Sequence, residues 1–282
     1  MNAFPQPATR FGPIARSFSA YAFDLDGTLY VDDALLPWAA ETLSRIRSGG
    51  GRVAFVTNKP LETATDYATK LSALGVPADP GEVVTSIDAL VLYMEGHHPR
   101  ARVMPIAEPI VFAALSEAGF RITEDPAETD VVVVAFDRTF NYAKLTAAYR
   151  AVRLHGAALV ATNPDPYCPT SDGGIPDCAA MLAAVEACTG AKAEAIVGKP
   201  SRHMAQAVLK RLNVNADSVA MVGDRLATDI AMARNFGLAA VLVLTGASTK
   251  DDISPSPFKP DYAIEGLDEL IPAGYEAPKS NL

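Results

Sequence analysis

Two aspartates, Asp24 and Asp26, follow the apolar segment Tyr21–Phe23. This segment predicts a buried strand, and open α/β sheets bind ligands at the carboxyl ends of their strands. Side chains two residues apart on a strand share a face, about 6.6 Å apart at ~3.3 Å per residue. One carboxylate could attack a reacting group while the other handles the leaving group's proton. By itself, an Asp-x-Asp segment is more typical of a strand-end turn.

Further polar side chains stand at the ends of other predicted strands. Thr57 and Asn58 end the strand predicted over 52–57, and Lys199 follows the strand predicted over 194–198. Asp224 follows a strand over 218–223, and Asp229 lies in the first turn of the next helix. Taken singly, these residues are typical of a helix cap, a surface lysine and an acid that favours the helix dipole.

Several acids at one end of a sheet would repel each other and any bound phosphate. A hard cation among them removes this repulsion, and oxygen ligands without thiols favour Mg²⁺. The sequence therefore predicts a magnesium site at the strand ends.

The elements that must position these residues alternate between strands and helices, which is typical of a parallel α/β sheet. Residues 20–87 and 191–282 are predicted to form one core domain. Residues 88–190, with their own strands and helices, form a second α/β unit inserted into it, and residues 1–19 are expected to be a poorly ordered extension.

The ordered motifs Asp-x-Asp-Gly-Thr-Leu (24–29), Thr-Asn (57–58), Gly-Lys-Pro (198–200) and Gly-Asp-x-x-x-x-Asp (223–229) strongly resemble those of the haloacid dehalogenase superfamily. The insert segment Ala161–Asp165 is similar to the NagD-like, p-nitrophenyl phosphatase-like branch, subfamily IIA. Because the insert lies between the second and third motifs, it matches the C2 cap position. The resemblance implies a Rossmann-like three-layer α/β/α core with a parallel sheet and a smaller C2 cap.

The resemblance also implies roles for the motif residues. Asp24 would be the nucleophile that forms an aspartyl-phosphate, and Asp26 the general acid and then base. Thr57, the main chain of Asn58 and Lys199 would hold the phosphoryl group. The implied Mg²⁺ ligands are Asp24, the carbonyl of Asp26, Asp224 and, through water, Asp229.

Arg138, Asp165 and Tyr167 lie in the predicted cap loops 136–140 and 163–170 and are candidates for substrate contact. Lys59 is a further candidate, because it directly follows Thr57 and Asn58 and would add positive charge near the phosphate. For Asp165, a structural role in bonding its own loop is at least as well supported. The chain departs from the branch at Ile175–Cys178, where relatives show Pro-Gly-x-Gly, and at Trp38, where they often have glycine.

The net charge and the composition indicate which kinds of binding partner and which cellular compartment to expect. Twenty-four basic against 33 acidic residues give a net charge of −9, which opposes general attraction to nucleic acid or anionic lipid. No apolar stretch approaches the ~20 residues of a bilayer span, so no membrane association is expected. Three cysteines without a CxxC pair favour reduced thiols in a cytoplasmic protein. A homodimer through the cap is common in the branch.

These observations lead to one hypothesis and two alternatives. The hypothesis is a Mg²⁺-dependent phosphomonoesterase that acts on a small phosphorylated metabolite. The alternatives are a non-catalytic protein that binds or senses a phosphorylated metabolite, and a phosphotransferase with a second acceptor. The presence of Asp24 favours an enzyme, since a binding protein needs no nucleophile.

Overall fold

A computed structural model describes residues 8–168 and 174–279. Residues 1–7 of the predicted extension and 169–170 of the predicted substrate loop lie outside the described residues. The chain divides into two compact units. The first contains the described residues up to Thr57, then Ala64–Val84, and those from Ala205 onwards. The second contains Asn58–Thr63 and the described part of Thr85–Met204.

The described strands are β1 (Arg10–Phe11), β2 (Ala20–Asp24), β3 (Tyr30–Val31), β4 (Ala34–Leu35), β5 (Arg52–Thr57), β6 (Val83–Thr85), β7 (Arg102–Ile106), β8 (Arg121–Ile122), β9 (Val131–Val134), β10 (Ala158–Ala161), β11 (Tyr167–Cys168), β12 (Ile175–Pro176), β13 (Ala195–Ile196), β14 (Val219–Gly223), β15 (Ala239–Val243) and β16 (Tyr262–Ile264). The described α-helices are α1 (Ala39–Ser48), α2 (Ala64–Ala73), α3 (Ser86–His97), α4 (Pro109–Glu117), α5 (Tyr142–Tyr149), α6 (Cys178–Thr189), α7 (Arg202–Leu212), α8 (Ala231–Phe236) and α9 (Lys250–Ile253). None of them is long and apolar enough to cross a bilayer.

The first unit is built on a seven-stranded sheet in the order β1-β16-β15-β14-β2-β5-β6. Strands β14, β2 and β5 are parallel neighbours, with Val222 opposite Phe23 and Phe23 opposite Phe55. All five residues of β2 and of β14 are buried. Strands covered on both faces need continuous apolar sequence, which is why these segments do not alternate with polar residues. The predicted α/β fold with a parallel sheet is confirmed.

The second unit is built on a five-stranded parallel sheet in the order β13-β10-β9-β7-β8. Its central strand β9 consists of four fully buried valines. The sheet includes β13, although the sequence places a strand over 194–198 in the core domain. Pairing decides the difference, because Val160 and Ala161 of β10 lie opposite Ala195 and Ile196.

The described part of residues 8–19 also differs from the expected poorly ordered extension. β1 pairs in parallel with β16, with Arg10 opposite Tyr262. Ile14 and Phe18 are 2% and 1% exposed in the core of the first unit. Burial of these two apolar side chains holds the segment against the sheet.

The helix after β14 starts in an unusual form. Leu226–Ile230 is a π-helical turn that continues directly into α8. Such turns are rare and occur frequently at functional sites. This one carries Asp229.

Candidate active site

Three buried carboxylates converge in the first unit. Asp24 is the last residue of β2, Asp224 follows β14, and Asp229 lies in the π-helical turn. One carboxylate oxygen from each lies within 4.8 Å of the other two. The three residues are 8%, 2% and 0% exposed. Since isolated buried charges are strongly unfavourable, this group of oxygen donors fits a hard divalent cation.

The strand register brings these residues together. Because β14, β2 and β5 are parallel neighbours, their carboxyl ends lie along one edge of the sheet. Thr57, the last residue of β5, is 2% exposed and stands one position beyond Val56, the partner of Asp24. The sheet therefore places a hydroxyl on the strand next to the carboxylate of Asp24.

Two main-chain segments lie in close contact with the carboxylate of Asp224. A Cβ atom on Gly246 would lie 2.1 Å from its Oδ2, and one on Gly27 would lie 2.5 Å away. The Ala247 N–H donates a hydrogen bond of 2.7 Å to the same oxygen. Only glycine fits at 246 and 27, and the contacts fix the orientation of this carboxylate.

Asp229 is held in a similar way. A Cβ atom on Gly223 would lie 2.3 Å from the Asp229 Cγ, and the Arg225 N–H donates to Asp229 Oδ2 at 3.1 Å. Glycine at the end of β14 thus lets the π-helical turn approach the strand. The turn places Asp229 beside Asp24 and Asp224.

Asp26 lies in the turn that follows β2 and is partly buried. It forms a bridge with Tyr30, and the Gly27 N–H donates to the Tyr30 carbonyl at 2.8 Å. The Thr245 hydroxyl donates to the Gly27 carbonyl at 2.7 Å. A main-chain bond and a side-chain hydroxyl thus hold the turn. The Asp26 carboxylate is not one of the three in the cluster.

The second unit brings together three other predicted residues. The Asn58 amide accepts a bond from the Lys199 N–H through Oδ1 at 2.7 Å. Its Nδ2 donates to the Lys199 carbonyl at 3.1 Å and to Asp165 Oδ2 at 2.8 Å. Lys199 is 3% exposed. Its main chain is therefore held by the residue that directly follows Thr57.

The remaining candidates for substrate contact have different surroundings. Arg138 donates two bonds of 2.9 Å to Glu108, which lower the pKa of that carboxyl below its ordinary value. The guanidinium is thus held by an ion pair within the second unit, and substrate contact by Arg138 stays a prediction. Tyr167 is 53% exposed on β11, and Lys59 is partly buried.

Sequence reasoning did not select Asp177 as a site residue. It precedes α6, is 4% exposed, and accepts a bond from the Cys178 N–H. Burial, aided by the negative charge of Asp165, raises the pKa of Asp177 to about 6, although the Cys178 N–H, Asn163 and Lys59 act in the opposite direction. An aspartate directly before a predicted helix signals a cap, but it does not signal burial.

Comparison with known families shows to which family the chain belongs. The haloacid dehalogenase-like hydrolase family matches residues 21–121, and the HAD-hydrolase-like family matches residues 196–270. Sugar-phosphatase AraL of Bacillus subtilis is 30% identical over 247 residues, which cover 88% of this chain and 90% of AraL. The chain belongs to the haloacid dehalogenase superfamily. This haloacid dehalogenase-like protein is a phosphoric monoester hydrolase.

Solved structures place it within the superfamily. The 4-nitrophenylphosphatase of Thermotoga maritima is 35% identical with a TM-score of 0.84, covering 89% of this chain and 95% of that one. NagD from E. coli K-12 is 31% identical with a TM-score of 0.82, covering 90% and 99%. The expected membership of the NagD-like branch, subfamily IIA, is confirmed for this haloacid dehalogenase-like phosphatase.

Proposed function

We propose that the protein is a Mg²⁺-dependent phosphatase that hydrolyses a small phosphorylated metabolite through an aspartyl-phosphate on Asp24. The observation that carries this proposal is the buried cluster of Asp24, Asp224 and Asp229 at the carboxyl ends of β2 and β14. A structural role would not require three buried like charges whose oxygen atoms converge.

In the first step, a carboxylate oxygen of Asp24 attacks phosphorus and the bond from phosphorus to the ester oxygen breaks. A carboxylate attacks in its ionised form and needs no separate base to remove a proton at that moment. Asp26 donates its proton to the leaving oxygen, which departs as an alcohol.

In the second step, Asp26 takes a proton from water, and the resulting oxygen attacks phosphorus. The bond between phosphorus and the Asp24 oxygen breaks, which releases inorganic phosphate and regenerates both aspartates. The turn held by Gly27, Tyr30 and Thr245 keeps Asp26 next to the end of β2 throughout.

The oxygen donors fit a hard divalent cation, and we assign the carboxylates of Asp24 and Asp224 and the carbonyl of Asp26 as its ligands, with Asp229 acting through water. When bound, Mg²⁺ neutralises negative charge on the carboxylates and the transferring phosphoryl group. The close main-chain contacts at Gly246 and Gly27 preset the carboxylate of Asp224 for this purpose.

We assign the Thr57 hydroxyl, the Asn58 N–H and the Lys199 amine to the phosphoryl oxygens. Thr57 lies on the strand beside Asp24, and Asn58 is its neighbour in the chain. The Asn58 amide also holds the main chain of Lys199. Catalysis then consists mainly of positioning and charge neutralisation.

The substrate class is proposed from the relatives. AraL is named a sugar phosphatase, and we propose a small phosphate ester of that kind as the substrate. The second unit would act as the C2 cap that selects it. Homodimer formation through the cap stays a prediction from the sequence.

The test is phosphate release from p-nitrophenyl phosphate and a panel of sugar and glycerol phosphates, with Mg²⁺ or with EDTA. Wild type is compared with Asp24→Asn and with the control Asp130→Asn, whose ion pair with Arg102 lies in the second unit. We expect metal-dependent release by wild type and the control, and a loss of at least about 10³-fold in Asp24→Asn. Full activity in Asp24→Asn would refute the mechanism, and transfer to added methanol would reveal a phosphotransferase.

A further inference from the structure

The side chain of Asp165 is bound to the amide that holds Lys199. Asp165 Oδ2 accepts a bond of 2.8 Å from Asn58 Nδ2. The same amide bonds both the N–H and the carbonyl of Lys199, at 2.7 and 3.1 Å. One amide thus connects a loop carboxylate with the main chain of a lysine that is 3% exposed.

The position of Asp165 is itself fixed. Its N–H donates to Asn163 Oδ1 at 2.9 Å, and its carbonyl accepts from the Ala179 N–H, in the first turn of α6, at 3.1 Å. Asn163 is fully buried and its Nδ2 donates to the Asn58 carbonyl at 3.3 Å. The carboxylate therefore meets the Asn58 amide from an anchored loop.

The chemistry of the two groups selects one orientation of the amide. An ionised carboxylate only accepts hydrogen bonds, so it pairs with the NH₂ end of Asn58. This leaves Oδ1 toward the Lys199 N–H, where an acceptor is needed. A flipped amide would turn its oxygen toward the carboxylate and its NH₂ toward an N–H, so both contacts would be repulsive.

The main chain before Lys199 leaves little room for another arrangement. A Cβ atom on Gly198 would lie 2.5 Å from the Thr162 carbonyl oxygen and 2.7 Å from Asn58 Oδ1. The Gly198 N–H also donates to the Thr162 carbonyl at 2.7 Å. Segment 198–199 is thus fitted against the strand-end segment after β10 and against the Asn58 amide.

We propose that Asp165 is a positioning residue for Lys199, acting through the Asn58 amide, rather than a ligand of the substrate. The proposal rests on the proposed function insofar as Lys199 binds the phosphoryl group. In this role, Asp165 affects the rate of the catalytic step equally for every phosphate ester. A substrate ligand would instead affect the binding of particular esters.

The first test does not depend on activity. Hydrogen exchange of the Lys199 amide is compared in wild type, Asp165→Leu, Asp165→Asn and the control Asp130→Asn. Leucine fills a similar volume without an acceptor, whereas asparagine can still accept through its oxygen. Because the lost bond is charge-assisted, we expect exchange to rise at least about tenfold in Asp165→Leu, and less than about threefold in Asp165→Asn and the control.

Unchanged protection of Lys199 in Asp165→Leu would overturn the proposal, and so would equal loss in Asp165→Asn. If the leucine variant does not fold, Asp165→Ala provides the same contrast with Asp165→Asn. This result holds whether or not the protein hydrolyses any ester, so failure of the proposed function is seen separately as inactivity of the wild type.

The second test is a double-mutant cycle with Lys199→Ala. We expect Asp165→Leu to lower kcat about tenfold for every ester, with KM changed less than about twofold. In the Lys199→Ala background, the same substitution should have no further effect, because coupled residues are not additive. Equal effects in both backgrounds, or a KM change confined to certain esters, would refute the positioning role.

Discussion

Replacing Asp177 by asparagine should raise the free energy of unfolding above that of the wild type, and the gain should be larger at neutral pH than at acidic pH. Asp177 is 4% exposed, and burial raises its pKa from 3.8 to about 6. The folded protein therefore favours the protonated form, while the unfolded chain ionises near the ordinary value. This group's contribution to stability is fully present below pH 3.8 and is lost as the pH rises through about 6.

The magnitude follows from the shift of about two units. Each unit corresponds to about 1.36 kcal/mol, so ionisation of Asp177 lowers the free energy of unfolding by about 3 kcal/mol between pH 3 and pH 7. Asparagine carries no charge at either pH, and its side-chain oxygen can still accept the bond from the Cys178 N–H. The variant should therefore gain about 3 kcal/mol over the wild type across this interval.

The assay is urea unfolding followed by far-ultraviolet circular dichroism at several pH values. Asp130→Asn is a control of opposite sign, because hydrogen bonds from Arg102 lower the pKa of Asp130 to about 2. The contribution of ionised Asp130 to the free energy of unfolding is present above pH 3.8 and is lost as the pH falls through about 2. The Asp130→Asn variant should therefore be less stable than the wild type at pH 7. A difference between Asp177→Asn and wild type that is independent of pH would refute the reasoning.

Two further predictions concern the backbone and the thiols. Trp38 has a φ of 68° directly before α1, a left-handed backbone conformation that is strained for residues other than glycine. The unfolding free energy of Trp38→Gly should therefore exceed that of Trp38→Ala by about 1 kcal/mol. Equal urea midpoints of the two variants would contradict this strain. Cys188 is exposed, whereas Cys168 and Cys178 are buried and burial raises the pKa of Cys178 to about 11. A thiol-disulfide reagent should thus modify one thiol rapidly in the native protein and three in denaturant; a rapid thiol that persists in Cys188→Ser would contradict the assignment.

The strand-end residues could be predicted because their placement follows from local pattern and one topological rule. Apolar runs before Asp24, Thr57 and Asp224 predict buried strands, and parallel strands end at one edge of their sheet. The structure brings the carboxylates of Asp24, Asp224 and Asp229 within 4.8 Å of one another. The glycines at 27, 223 and 246 could not be linked to them from sequence, because their contacts with the aspartates arise only after folding.

The sheet to which β13 belongs was not determined by its sequence. A short apolar run predicts a strand, but it carries no information about its partner, and β13 pairs with β10 instead of the core sheet. The same limit applies to the segment around Ile14 and Phe18, whose apolar side chains are few and gain stability only against an existing sheet.

By itself, the sequence determined the chemical groups, their order at the strand ends and the family to which the chain belongs. Only the tertiary structure decided that Asp177 is buried and that Asp165 bonds Asn58, a residue 107 positions away. Strand propensity and motif spacing depend on neighbours in the chain, whereas burial and hydrogen-bond partners depend on segments that meet only when the chain has folded.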